Sequence, residues 1–344
     1  MDLQDWQALD EIMRQQRSAE DQALLQDFQS AWRSTKQISP IKLLRKINFA
    51  SADGIDAIFK AHPARSWHDA VDNVGRAFSV LNLSRGALNS VYGVYHSHAV
   101  HDRNRPDIES VVADATKEVF AFSFAALSLV EAYRRFESTA PNISARFNQL
   151  RREIFRNPLL SNFIQELRNS FSHRILIAAR PHYSVKLDAQ RTVTTSLQFD
   201  REQLSKAKWN SESRQFIETT ETLDVMQIIS SYFDCAADLH RRYLTETGLE
   251  HDPHFKDYLR LQMAREAASH ELTLGLVLQA TKSQAVNPYP HLARYFTADE
   301  LQRIRSLDDH SQAQVDYLIG LRDPIGLCSD ELRQGLYRLF QVPS

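Results

Sequence analysis

The stretch Leu167-Arg168-Asn169-Ser170-Phe171-Ser172-His173-Arg174 lies in a segment, 158–179, whose apolar residues recur every three or four positions. This spacing predicts an α-helix with one apolar stripe that packs against its own domain. At 3.6 residues per turn, Asn169 points about 160–180° away from the stripe, and His173 lies within about 40° of Asn169. The long side chain of Arg168 can turn to the same side, so all three are predicted to face away from the core. The predicted stripe consists of Leu160, Ile164, Leu167, Phe171 and Ile175.

Arg168, Asn169 and His173 form the pattern Arg-Asn-x3-His, which resembles the R-x4-H motif of HEPN domains. HEPN domains are an all-helical superfamily that includes many metal-independent ribonucleases and antiviral toxins. The resemblance implies a HEPN-like domain over about 106–247, with these three residues as its catalytic residues. It also implies a toxin or antiphage defence effector that a partner restrains, with an antitoxin or a nucleotidyltransferase as the candidate partner.

Arginine and histidine are together sufficient, in chemical terms, to cleave RNA without a metal ion. RNA supplies its own nucleophile, the 2′-hydroxyl, so cleavage needs a base, an acid and a cation that stabilises the phosphorane. Histidine suits proton transfer because its unperturbed pKa lies near neutral pH. The arginine fork matches two phosphate oxygens. We therefore expect Arg168 and His173 to cut RNA to a 2′,3′-cyclic phosphate, with no metal and no cofactor.

The spacing of the motif also predicts that one copy of the chain holds an incomplete site. Residues five apart on a helix differ in direction by about 140°, so Arg168 and His173 do not stack as neighbours. Asn169 and His173 are four apart and do stack, so Asn169 is expected to orient the imidazole. HEPN ribonucleases pair two domains so that two motifs line one cleft. The resemblance therefore implies a homodimer through the motif face.

An arginine-rich block surrounds the motif in a chain whose formal net charge is only −2. Residues 134–180 contain nine Arg, no Lys, three Glu and no Asp, which gives the block a net charge of +6. Such a block is typical of a face that binds phosphate, and it is equally typical of a solvated helix surface in an arginine-preferring chain. The arginines that we expect to bind RNA are Arg151, Arg152, Arg156 and Arg174.

Three further polar residues are candidates for a supporting role in catalysis. Ser172 and Glu166 flank the motif, and Glu131 belongs to the long helix that precedes it. An ordinary surface contact is the simpler interpretation of Glu166. Glu131 has two interpretations, a buried pair with an arginine or a solvated helix residue.

The chain as a whole is predicted to be all-α, as a HEPN-like helical bundle with a small inserted β-hairpin. Alternating apolar residues predict the hairpin at about 182–200. Val91–Tyr95 is open to two interpretations, a short strand or a helix end, and Gly248 is predicted to end the helix that follows the hairpin. The predicted regions are 1–105, which is mostly helical, 106–247, which is the HEPN-like domain, and 248–344, which is again helical.

Composition favours a protein of the cytoplasm without membrane contact. The longest apolar run, Val119–Val130, has 12 residues, whereas a membrane-spanning helix needs about 20. The segment Met1–Trp6 is acidic and polar, unlike a signal peptide. Cys235 and Cys328 lie far apart in apolar surroundings, which favours two buried thiols over a disulfide.

A second group of candidate residues, His96, His98 and His101, is close to the H-x-H-x-D-H motif of metallo-β-lactamase-like hydrolases. Three imidazoles at this spacing can hold zinc. The motif requires Asp where this chain has Val100, so a histidine-rich loop is the simpler interpretation. Two alternatives to RNA cleavage stay open, namely a catalytically silent HEPN-like module that binds or scaffolds, and a metallohydrolase.

Overall fold

A computed structural model divides the chain into two compact units. One unit contains Met1–Arg65 and His251–Ser344, and the other contains Ser66–Glu250. The predicted HEPN-like region, 106–247, lies within the second unit, and the three-region division stays a prediction. The structure describes residues 3–34, 39–49, 52–101, 108–139, 141–173, 177–186, 192–281, 287–323, 326 and 328–343.

The described residues are mostly helical, with one two-stranded sheet, which confirms the predicted helical class and the inserted hairpin. Two short 3-10 helices, Leu249–His251 and Tyr289–Arg294, join longer helices. The helices and strands are, in chain order, α1 (Leu3–Arg33), α2 (Pro40–Phe49), α3 (Ala52–Ala61), α4 (Arg65–His101), α5 (Ile108–Thr139), α6 (Pro141–Ile154), α7 (Pro158–His173), β1 (Ala179–Lys186), β2 (Thr192–Phe199), α8 (Arg201–Lys206), α9 (Ser211–Thr219), α10 (Val225–Thr247), α11 (Pro253–Thr281), α12 (Ala298–Arg305), α13 (Gln312–Arg322) and α14 (Asp330–Leu339).

The first unit contains a buried carboxylate, that of Asp257 on α11, which contacts two other parts of the unit. The indole N–H of Trp32 on α1 donates to Asp257 Oδ2 at 3.0 Å, and Nε2 of His62 lies 3.4 Å from the same oxygen. The backbone N–H of Ala64 donates to Nδ1 of His62 at 3.1 Å, so the imidazole carries its proton on Nε2. All three residues are buried, and these hydrogen bonds satisfy Oδ2 of the carboxylate, whereas Oδ1 is buried and has no hydrogen-bond partner among the described residues.

Strands β1 and β2 form an antiparallel hairpin in which Ala179 lies opposite Phe199. Alternate residues of the hairpin are buried, among them Ala179, Leu197 and Phe199. The backbone N–H of Ala179 donates to Oγ1 of Thr116 on α5 at 3.1 Å. The hairpin is thus attached to α5, the helix against which α7 also packs.

The motif helix is shorter than its periodicity predicts. The apolar spacing extends to Ala179, but α7 ends at His173 and Ala179 is the first residue of β1. Two causes favour the strand: Ala179 pairs with Phe199, and Pro181 disfavours helical conformation in the residue before it. The predicted helix end was wrong because the pairing partner lies far along the chain.

Helix α4 continues through Val91–Tyr95, so the interpretation of this segment as a strand is wrong. Tyr92 and His96, one turn apart, both contact Thr195 of β2. The hydroxyl of Tyr92 donates to the backbone oxygen of Thr195 at 3.0 Å, and Nδ1 of His96 lies 2.6 Å from the Thr195 hydroxyl oxygen. Helical geometry is what brings two side chains four positions apart to one residue.

Aromatic side chains from three helices fill part of the core of the second unit. Tyr133 and Phe136 of α5 contact Phe147 of α6 and Tyr243 of α10, with ring centroids between 5.2 and 5.6 Å apart. Burial raises the pKa of the Tyr133 and Tyr243 hydroxyls well above the ordinary value, so both stay protonated. These contacts fix α5 against its neighbours α6 and α10.

Two glycines should respond to alanine in opposite directions. Gly248 ends α10, as predicted, with a left-handed φ of 77°, so Gly248→Ala should lower the free energy of unfolding by about 1–2 kcal/mol. Gly86 lies within α4, where an added Cβ meets no atom within 4 Å. Gly86→Ala should therefore raise the free energy of unfolding by about 0.5–1 kcal/mol. Denaturant unfolding measures both changes, and shifts of the same sign would contradict the expectation.

Candidate active site on the motif helix

Helix α7 is packed on two sides, against α5 and against α9. The ring of Phe163 lies parallel to that of Phe216 on α9, with centroids 4.8 Å apart. The same ring also contacts Trp209, which precedes α9, and Phe199 of β2. Helix α7 is therefore covered on the α9 side by residues that come later in the chain.

The residues that α7 buries differ in part from those that its periodicity predicts. Ile164 and Leu167 are buried, which confirms the middle of the predicted stripe. Leu160 and Phe171, its outer members, are only half-buried, because α9 draws a different set of residues inward. The predicted stripe member Ile175 lies outside the described residues. The buried residues of α7 are Phe163, Ile164, Leu167 and Ser170.

Arg168 lies against α5 instead of pointing fully away from the core. Its Cζ lies 4.8 Å from the centroid of the Phe124 ring, and its Nη1 donates to Oδ1 of Asn169 at 3.2 Å. Its Nε is buried and has no hydrogen-bond partner among the described residues. The predicted direction of Arg168 is therefore wrong, because the flat guanidinium reaches an aromatic face on the neighbouring helix.

Asn169 connects Arg168 to Glu166 in a chain of hydrogen bonds. Its Nδ2 donates to Oε1 of Glu166 at 3.0 Å, and its Oδ1 accepts from Arg168. Asn169 and Glu166 are both half-buried, and the choice between a supporting role and an ordinary surface contact for Glu166 stays open. Within the described residues, Asn169 holds the guanidinium, and its role in orienting the imidazole stays a prediction.

The guanidinium of Arg168 has no carboxylate within 4 Å in the part of the chain that the structure describes. Its polar partner is a neutral amide, and the carboxylate of Glu166 is linked to it only through Asn169. Electrostatic attraction is stronger in a partly buried site than at a fully exposed one, so this cation is suited to bind an anion such as a phosphate. The arginines of the same block that do have a carboxylate partner are Arg134 with Glu131, Arg151 with Glu137, and Arg180 with Asp200.

The predicted RNA-binding arginines lie apart from this network. Arg151 donates to Oδ1 of Asn148 at 2.6 Å, and Arg156 donates to the backbone oxygen of Glu153 at 3.0 Å. Arg152 and Arg156 are exposed. Among the described residues, none of these arginines has a hydrogen bond with Arg168 or Asn169. Arg174 lies outside the described residues, and RNA binding by all four stays a prediction.

Glu131 is solvent-exposed on α5 and forms an ion pair with Arg134 at 2.5 Å. The interpretation of Glu131 as one half of a buried pair is therefore wrong, and the solvated interpretation is confirmed. Seven residues separate it from Phe124, which is roughly 10 Å along the helix. The fold does not bring Glu131 to the guanidinium of Arg168.

Ser172 and His173 form the C-terminal end of α7. Their side chains lie outside the described residues. The described part of the site is therefore the cationic half, Arg168 with Asn169 and Glu166, and the roles of His173 and Ser172 stay predictions.

The three clustered histidines lie on α4 instead of in a loop. His96 contacts Thr195, and the side chains of His98 and His101 lie outside the described residues. Within the described residues, no group of three or more His, Cys, Asp or Glu is placed to hold a metal ion.

Three phenylalanines beside Arg168 were missed in the sequence. Phe120 and Phe124, one turn apart on α5, have ring centroids 4.5 Å apart, and Phe171 of α7 lies 5.8 Å from Phe120. We call this set the phenylalanine patch. Phe120 is 36% exposed, whereas Phe122 between the two is buried. The available signal was an aromatic pair four residues apart, off the buried stripe of α5.

Comparisons with protein-family models, with curated proteins and with solved structures give no match to this chain. The resemblance to HEPN domains therefore rests on the motif and its helical setting alone. None of the helices among the described residues is both long and apolar enough to cross a membrane.

The contact between Arg168 and Phe124 should be measurable as a coupling energy. Arg168→Met and Phe124→Leu, singly and together, should give a coupling of about 0.5–1 kcal/mol in the free energy of unfolding, because the cation and the ring are both partly shielded from water. Denaturant unfolding of the four proteins measures it. Arg134→Met combined with Phe124→Leu is the matched control and should show no coupling. A coupling energy of zero between Arg168→Met and Phe124→Leu would contradict the contact.

Proposed function

We propose that this chain is a metal-independent endoribonuclease of HEPN type that cleaves RNA to 2′,3′-cyclic phosphate ends. The observation that carries the proposal is the guanidinium of Arg168, which has no carboxylate within ion-pair distance among the described residues and is held in place on α7 five residues before His173. Stabilisation of charge that develops in the transition state is usually the largest catalytic contribution. A cation fixed by a ring and an amide provides it without rearrangement.

The proposed reaction needs only groups of the protein and of RNA. A histidine accepts the proton of the 2′-hydroxyl, and the 2′-oxygen attacks the adjacent phosphorus. Arg168 binds the phosphate oxygens and stabilises the phosphorane, whose bond to the 5′-oxygen then breaks. A histidinium gives its proton to the 5′-oxygen, so the products are a 2′,3′-cyclic phosphate and a 5′-hydroxyl. His173 is the residue that we assign to these proton transfers.

Asn169 and Glu166 are assigned a positioning role in this scheme. Asn169 holds Nη1 of Arg168, and Glu166 holds the amide of Asn169 from the other side. An arginine aligned in this way presents its remaining N–H groups in one direction, which suits two-point binding of a phosphate. Loss of Asn169 should therefore weaken catalysis more than it weakens folding.

The reaction needs both a base and an acid, and this requirement favours a site that contains two copies of the motif. A single chain carries one Arg-Asn-x3-His stretch, and its histidine cannot serve both oxygens at the same moment. We therefore propose a homodimer through the motif face, with RNA in the cleft between the two motifs. The setting that follows from the HEPN resemblance is a cytoplasmic toxin or antiphage effector, restrained by an antitoxin or a nucleotidyltransferase.

A catalytically silent binding module is the second candidate. The observation in its favour is that the Nε of Arg168 is buried and its guanidinium lies on Phe124, which also suits an arginine that only stabilises the contact of α5 with α7. The two functions differ in their response to Arg168→Lys. A structural cation tolerates the exchange in part, whereas two-point binding of a phosphate in the transition state does not.

Cleavage of total RNA in the presence of EDTA tests the proposal. Wild-type protein should produce 2′,3′-cyclic phosphate ends, and Arg168→Ala and His173→Ala should each lower the cleavage rate by at least about 100-fold. Arg134→Ala is the matched control, because its side chain pairs with Glu131 on the surface, and it should cleave like wild type. Thermal unfolding of each variant shows that the fold is retained.

The results of this cleavage experiment distinguish the candidate functions. Full activity in both Arg168→Ala and His173→Ala would contradict the proposal. Activity that EDTA removes would favour a metallohydrolase around His96, His98 and His101. Absence of cleavage under every condition would favour the silent module.

The proposed dimer is tested by measuring the mass of the protein in solution. Light scattering on the full chain should give twice the mass of one chain, 39.6 kDa, for wild type and for His173→Ala alike. The substituted imidazole is assigned to chemistry, so the mass should not change with it. A monomer that cleaves RNA at full rate at every protein concentration would contradict the composite site.

A further inference from the structure

The phenylalanine patch, formed by Phe120, Phe124 and Phe171, is a partly exposed aromatic surface directly beside the cation of the candidate site. Phe120 is 36% exposed, although a phenylalanine side chain of this helix would be expected in the core. Phe124 has one face covered by the guanidinium of Arg168. The patch therefore brings together a partly exposed aromatic ring, a second ring and a cation that has no carboxylate within ion-pair distance among the described residues.

Aromatic rings beside a cation have the chemistry that single-stranded nucleic acid requires. Unpaired bases stack on phenylalanine rings and on arginine planes, and their phosphates pair with the neighbouring charge. A second cation lies on the same face of α5, since Lys117 is one turn before Phe120. The side chain of Lys117 is 73% exposed, and its ammonium pairs with Glu118 at 2.9 Å, a contact that water and salt weaken. A lysine thus precedes the two rings on α5, and Arg168 lies over the second ring.

We infer that Phe120 is a stacking platform for an unpaired base next to the phosphate bound by Arg168, and that the substrate is single-stranded RNA. The inference rests on the proposed function for the identity of the nucleic acid. A base in a duplex is already stacked on its neighbours and cannot lie flat on Phe120 without being extruded. The patch therefore selects loops, bulges and unpaired ends.

A second copy of the chain is the other possible occupant, and the size of the patch disfavours it. A phenylalanine side chain has roughly 150–250 Å² of surface. None of the three rings is more than 36% exposed, so the patch exposes at most about a third of the roughly 800 Å² per partner that a stable interface buries. One ring of this exposure matches the face of one base. The charge of Arg168 beside it also suits a phosphate better than an apolar protein surface.

Binding of an oligouridine tests the inference without depending on cleavage. The probe is a fluorescent strand of about 12 nucleotides with 2′-O-methyl groups, which the proposed reaction cannot cut. Phe120→Ala and Phe120→Leu should weaken its binding by about 5- to 150-fold, the range expected for one lost stacking contact. Phe120→Trp, which keeps a ring, should bind like wild type or more tightly. The same strand in a duplex should bind more weakly to wild type than the free strand.

Leu83→Ala is the matched control. Leu83 is a more exposed apolar residue, at 72%, on α4 of the same unit, and its loss should leave binding unchanged. Thermal unfolding and light scattering accompany each variant. Because Leu keeps the apolar character of position 120 and removes only the ring, it separates stacking from simple burial.

Three results would overturn the inference. In the first, the Phe120→Leu variant binds the strand as tightly as the wild type does. In the second, the wild type binds the duplex and the free strand equally well. In the third, Phe120→Leu changes the protein from a dimer to a monomer at unchanged thermal stability. The last result would assign the patch to a second copy. The proposed function fails separately: strong, Phe120-dependent binding without any cleavage of unmodified RNA leaves the stacking platform in place and removes the catalysis.

Discussion

A cation that is partly withdrawn from water requires compensation, and Arg168 obtains it from a ring and an amide instead of a carboxylate. This arrangement depends on the packing of α5 against α7, which brings Phe124 under the guanidinium. Asn169 and Glu166 then fix its direction. The charge of the guanidinium stays available to an anion, and the proposed chemistry depends on that availability.

The motif, the helix that carries it and the class of the fold were predictable because they depend on local patterns. Gly248 as a helix end and the hairpin were predictable for the same reason. The early end of α7 was not predictable from local patterns, because Ala179 pairs with Phe199, a residue distant in sequence. The direction of Arg168 was not predictable either, since it depends on a ring of α5. Periodicity within one helix carries no information about such partners.

Charge along the sequence was a poor guide to charge in space. The block around the motif has a net charge of +6, yet Arg134, Arg151 and Arg180 have carboxylate partners in the fold. What distinguishes Arg168 within this block is its setting, half-buried against the ring of Phe124 and the amide of Asn169. A count of arginines cannot show this, because it depends on which side chains the fold brings together.

The central claim is that the 2′-hydroxyl of RNA is the nucleophile and that no metal takes part. The most direct measurement compares two unpaired oligonucleotides of one sequence in EDTA, one of RNA and one with 2′-deoxy sugars throughout. The account predicts cleavage of the RNA strand to cyclic phosphate ends and an intact deoxy strand. Cleavage of both strands at similar rates, or activity that returns only with added metal, would contradict it.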